Sequence, residues 1–105
     1  MITVSVYKDT EGKLTGFECS GHAGFAEAGS DIVCAAVSAL VINTINSIDE
    51  FLHEPMRVKM DEDSGDIRCT FVNEPSEKAF LLLNSMFLGL REIEQNYGSK
   101  YIRLT

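Results

Sequence analysis

The sequence predicts an α+β domain with a mainly antiparallel five-stranded sheet and two helices packed on one face, in the order ββαββαβ. Three observations carry that reading. Two stretches alternate apolar and polar residues with the two-residue period of strands and are followed by others like them after a polar turn; two long stretches carry apolar residues at helical spacing; and the turns between strands are too short for parallel crossovers. At 105 residues the chain is expected to be one domain, 1–105, built on a single core.

Ile2, Val4 and Val6 alternate with Thr3, Ser5 and Tyr7, which gives the first strand one buried face. Asp9-Thr10-Glu11-Gly12 supplies turn residues, and Leu14 to Ser20 then forms the second strand with Phe17 and Cys19 on one face. Gly21 to Ser30 contains three glycines, three alanines and no period, so it reads as a loop. Asp31 suits an N-cap for a helix to about His53, with Val33, Val37, Leu40, Val41, Ile45, Ile48 and Leu52 on one stripe and Pro55 beyond its end. Met56 to Met60 and Ile67 to Phe71 alternate around Asp63-Ser64-Gly65, a second hairpin. Pro75 marks a second helix whose buried side runs through Ala79, Leu82, Leu83, Met86, Phe87, Leu90 and Tyr97 until Gly98. Tyr101 to Leu104 is the last strand, and Phe80, Leu81 and Leu88 fall off the helix's main stripe, which fits either a self-association patch or a sheet that wraps further round.

Composition narrows the function. The formal net charge of −7 has its acidic residues scattered along the chain, with no clustered Lys and Arg to neutralise phosphates, so direct nucleic-acid binding is not expected. An acidic surface suits a basic polypeptide partner instead. The start, Met1-Ile2-Thr3-Val4, lacks the features of a signal peptide, and the apolar run around Ile32 to Ile42 is interrupted and short of the roughly 18 residues of a membrane span, so a cytoplasmic protein with no membrane partner is expected. Three cysteines, an odd number, argue against a disulfide framework.

Of these thiols, Cys34 has the unusual position. With Asp31 as N-cap it is the third helical residue, where unpaired backbone N–H groups and the positive end of the helix dipole favour thiolate and supply donors for an oxyanion. Taken alone it would read as a small core residue. His22 alters that, because it closes the second strand where the loop begins, and the loop returns directly to the helix bearing Cys34, so its imidazole is expected to act as general base. Cys19 and Cys69 sit on apolar strand faces and read as core packing, while His53 reads as a solvated residue at a helix end. Asp31 is read as a cap rather than a third catalytic group, and Ser38, one turn after Cys34, as either a hydrogen bonder near the site or a polar spacer.

The run Gly21-His22-Ala23 followed by Asp31-Ile32-Val33-Cys34-Ala35-Ala36-Val37-Ser38 is similar to the signature of the ribosomal-processing cysteine proteases called Prp, and length and element order agree over nearly the whole chain. The resemblance implies a bacterial, cytoplasmic, homodimeric enzyme with a Cys/His dyad on His22 and Cys34, and a supporting role for Gly21, Asp31 and Ser38. It further implies cleavage of a large-subunit ribosomal protein precursor, removing a short N-terminal extension after a phenylalanine. A Gly- and Ala-rich loop beside the dyad suits a lid over bound peptide, with Gly24 and Gly29 as its hinges. No cofactor is expected. Zinc held by Cys19, His22 and Cys34 is the first rival, weakened because residues 19 and 22 point to opposite faces of a continuing strand and no fourth ligand has regular spacing. The other rivals are noncatalytic: a peptide-binding module, or an assembly factor that rides on the ribosome.

Overall fold

A computed structural model describes residues 1–21, 28–61 and 64–105, with the side chains of residues 28–31 outside the description. Five strands form one sheet: β1 (Ile2–Lys8), β2 (Leu14–Ser20), β3 (Met56–Met60), β4 (Ile67–Phe71) and β5 (Ile102–Leu104), in the spatial order β3-β4-β2-β1-β5. Two helices, α1 (Ala28–Ser47) and α2 (Glu77–Tyr97), complete the ββαββαβ order that the alternating and helical patterns predict. Every neighbouring pair is antiparallel except β1 and β5, which run parallel because α2 carries the chain back across the sheet as a crossover.

Hairpin register follows from the turns. The Asp9 carboxylate accepts the backbone N–H of Glu11 at 2.9 Å and of Lys13 at 3.0 Å, so an Asx turn closes β1 onto β2. Val4 then faces Cys19, Phe17 faces Cys69, Cys19 faces Ile67, and Ile2 faces Ile102, which puts all the large apolar strand residues on one side. Both helices cover that side. Val33, Val37, Val41 and Ile45 from α1 and Ala79, Leu83, Met86, Leu90 and Ile93 from α2 are buried against it, and the Phe17 and Phe87 rings meet edge to face with centroids 6.3 Å apart.

The expected stripes hold with local corrections. The first helix does not run evenly to His53: α-helical geometry stops at Ser47, and a π-helical turn (Ile48–Leu52) follows, ended by exposed His53 in a left-handed conformation whose N–H reaches the Asp49 carbonyl at 3.1 Å. The stretch Ile32–Leu52 is apolar and long enough to cross a membrane by length and composition, but its stripe is spent on the sheet. α2 begins at Glu77 with Ser76 as N-cap; Ser76 accepts the Ala79 N–H at 3.2 Å, and the Glu54 carboxylate takes both the N–H and hydroxyl of Ser76. Tyr97, expected inside, is exposed, and Ile93, one turn earlier, is the last residue of α2 to enter the core. Leu81 and Leu88 are 70% and 54% exposed, so the sheet does not wrap far enough to cover them.

Candidate active site

Cys34 lies half-buried on α1, over a cavity of about 100 Å³. Its floor is made of sheet residues: Cys19 and Ile67, paired across β2 and β4, and Ile2, which lies diagonally from Cys19 on β1. Val37 and Ser38 from the next turn of α1 form the wall beside Cys34, because residues three and four apart share a helix face. Gly21, Ser64 and Gly65 form the rim. The structure therefore brings together Cys34, Ser38 and Gly21 of the residues selected from sequence, with Ser38 exposed and its helical spacing from Cys34 as expected.

Gly21 has a backbone reason to be glycine. It ends β2 with φ at 87°, and a Cβ built there would stand 2.4 Å from the Met1 carbonyl oxygen. Its N–H donates to the Asp66 carboxylate at 3.0 Å, which ties the exit of β2 to the β3–β4 hairpin. That hairpin is itself cross-braced: the Ser64 N–H reaches the Asp61 carboxylate at 3.2 Å, the Asp66 N–H reaches the Ser64 hydroxyl at 3.2 Å, and the Gly65 N–H reaches the Asp61 carbonyl at 2.7 Å. Ser64 and Gly65 line the cavity and Asp66 bonds the rim at Gly21, and none of the three stood out in the sequence as part of the site. Their turn chemistry was readable, but nothing local reveals that Asp66 meets Gly21, 45 residues away in the chain.

Two expectations about the site are corrected. α1 starts at Ala28, so Asp31 is its fourth residue rather than its cap, and Gly29 belongs to its first turn rather than to a loop. Capping preference and the low helix propensity of Gly29 and Ser30 pointed to a later start, and both are weak priors that tertiary context overrides. Cys34 is consequently the seventh helical residue, about 9 Å along the axis from the first, so its own N–H is used within the helix and the helix tip does not act on it directly. His22 and Gly24 lie outside the described residues, as does the side chain of Asp31.

The other two thiols differ in kind from Cys34. Burial, with a smaller contribution from Glu18, pushes the Cys19 thiol up to about 12, and burial pushes Cys69 up to about 11, so both stay protonated near neutrality. Cys69 packs its sulfur 3.6 Å from that of Met56, as a core residue does. A larger cleft of about 840 Å³, between α2 and the β1–β2 hairpin around Phe80, Phe87 and Arg91, holds no thiol. On the opposite, open face of the sheet, Glu18 accepts hydrogen bonds from Tyr7 and, at 2.8 Å, from Arg68; the Tyr7 bond first and Arg68 second hold its carboxyl below the usual glutamate value.

Comparison with known proteins fits this geometry. The family model for cysteine protease Prp matches residues 1–103. The ribosomal processing cysteine protease Prp of Staphylococcus aureus is 36% identical over 104 residues, which is 99% of this chain and 97% of the relative. Crystal structures of the S. aureus protease superpose with TM-scores of 0.88, in complex with a substrate peptide, and 0.87, with a covalently linked product peptide, at 34% and 35% identity, each covering all of this chain and 98% of the other. A half-buried thiol above an open cavity, on a fold shared along its whole length with peptide-cleaving relatives, makes this chain a member of the cysteine protease Prp family and a hydrolase of peptide bonds.

Proposed function

We propose that this protein removes the short N-terminal extension of a large-subunit ribosomal protein precursor, cutting after a phenylalanine, with Cys34 as nucleophile and His22 as general base. The observation that carries the reading is the contrast among the thiols: Cys34 alone of the three is not buried, and it lines the cavity, whereas Cys19 and Cys69 are held as thiols in the core. Chain connectivity supports His22 as its partner, since it directly follows Gly21 on the cavity rim.

In the proposed cycle the His22 imidazole accepts the Cys34 proton as sulfur attacks the carbonyl carbon of the phenylalanine. The tetrahedral intermediate collapses as His22 returns the proton to the departing amine, leaving an acyl-thioester on Cys34, and water activated by His22 hydrolyses it. Gly21 supports the site by holding the end of β2 against Asp66, and Ser38 flanks the sulfur; Asp31 is assigned a supporting role by its match to the family motif, and Gly24 is assigned a hinge by its place in the Gly- and Ala-rich segment between His22 and Cys34. The net charge of −7 favours a basic ribosomal tail, in a cytoplasmic, homodimeric enzyme whose exposed Leu81 and Leu88 supply apolar contact area.

The test is to incubate the protein with the precursor and sequence the new N-terminus. Cleavage after phenylalanine that is lost in both Cys34→Ser and His22→Ala is expected; cleavage that persists in Cys34→Ser overturns the assignment.

A further inference from the structure

We infer that the extended substrate adds to the sheet as a sixth strand along the free edge of β3, with the apolar side chains of Val58 and Met60 beneath it. This rests on the protease reading above and assigns where the peptide lies. β3 ends the sheet, and among the described residues its partner strand is β4 on one side only. An unpaired edge is a template for one more strand, and proteins ordinarily blunt it.

The backbone register identifies the free groups. Bonds from the Asp61 N–H to the Asp66 carbonyl at 2.9 Å and from the Val72 N–H to the Pro55 carbonyl at 3.2 Å fix the two ends of the β3–β4 ladder. In an antiparallel ladder bonded pairs alternate with non-bonded ones, so Arg57 and Lys59 bond across to Thr70 and Arg68, and Val58 and Met60 turn their N–H and C=O groups outward.

The same two residues carry the recognising side chains. Val58 faces Cys69 and Met60 faces Ile67, so both stand on the helix-bearing side of the sheet, yet the helices stop short of them and leave them 38% and 50% exposed. Met60, Ile67 and Cys19 form one continuous row across β3, β4 and β2, and Ile67 and Cys19 are the floor of the Cys34 cavity. A strand laid on this edge rests on the apolar ledge of Val58 and Met60, and the row from Met60 through Ile67 to Cys19 runs across the strands from that edge to the floor of the Cys34 cavity. Its alternate side chains rest on the ledge, so the docked segment is apolar at every second residue. Exposed Arg57 and Lys59, on the other face of β3, disfavour lysine or arginine there and leave the basic part of the substrate to other surfaces.

Val58→Pro tests the edge directly, because proline removes an outward N–H and costs no ladder bond. With a synthetic peptide spanning the phenylalanine site of the ribosomal precursor, KM is expected to rise at least tenfold while the melting temperature and the Cys34 alkylation rate hold; unchanged KM in a folded Val58→Pro protein overturns the proposal. If that variant does not fold, amide hydrogen exchange on Cys34→Ser protein with the same peptide decides: protection of the Val58 and Met60 amides with Lys59 unaltered is expected, and no protection at either overturns it. A wild-type protein that leaves the peptide uncut defeats the protease reading separately, and the exchange result still decides the docking edge.

Discussion

Replacing Gly21 by alanine tests how the rim of the active site is held. An L-residue in the left-handed region costs about 1–2 kcal/mol, and Gly21 has φ at 87°. The added Cβ would also stand 2.4 Å from the Met1 carbonyl oxygen, inside the ordinary separation of about 3.3 Å, so backbone must move; overpacking of this kind costs about 1–3 kcal/mol. Together these give about 2–5 kcal/mol, and at about 4 °C per kcal/mol for a domain this size the midpoint falls by about 8–20 °C. Gly12→Ala is the matched control: its φ is 82° but nothing lies within 4 Å of the new Cβ, so only the conformational cost remains, about 1–2 kcal/mol and about 4–8 °C. Thermal unfolding followed by circular dichroism at neutral pH measures both. A Gly21→Ala loss no larger than that of Gly12→Ala would refute the close approach of β2's exit to the N-terminal residue.

Leu83, fully buried on α2, loses about 2–5 kcal/mol on truncation to alanine, read as a lower denaturant midpoint at unchanged slope. Glu18 is a folded-state carboxylate with a lowered pKa, so its stabilisation is present above the unfolded value near 4.5 and lost as pH falls through the folded one; Glu18→Gln flattens the stability profile below about pH 5, by no more than about 1 kcal/mol because the pair is partly solvated. At pH 7 iodoacetamide labels Cys34 in the folded protein, whereas Cys19 and Cys69 react only after denaturation; equal labelling of all three would contradict their burial.

Much of this molecule is legible where one physical period dominates. The alternation of Ile2, Val4 and Val6 and the run Leu83, Met86, Leu90 are dictated by burial on one face, and the folded core contains Ile2, Val4 and all three α2 residues, with Val6 only half-buried where it lines the cleft beside α2, beyond the reach of β5. Cys34 and Gly21, singled out by a thiol near a helix start and by a place in the family motif, line one cavity in the fold. Less legible were features set by distant partners. The start of α1 at Ala28 runs against the local capping preference for Asp31, a weak prior on where a helix begins. Asp66 enters the site through a contact that no local pattern encodes. The alternation of Met56, Val58 and Met60 resembles a buried face, yet only Met56 packs against the core, and Val58 and Met60 beyond the helices' reach become an exposed ledge.

In the proposed cycle Cys34 performs the nucleophilic attack and His22 takes its proton. Treating the folded protein with a peptidyl chloromethyl ketone ending in phenylalanine and mapping the adduct by mass spectrometry tests it most directly, since that reagent alkylates an activated catalytic group. One adduct on Cys34, formed far more slowly in His22→Ala, is the expected result; an adduct on Cys19 or Cys69, or an unchanged rate without His22, contradicts the account.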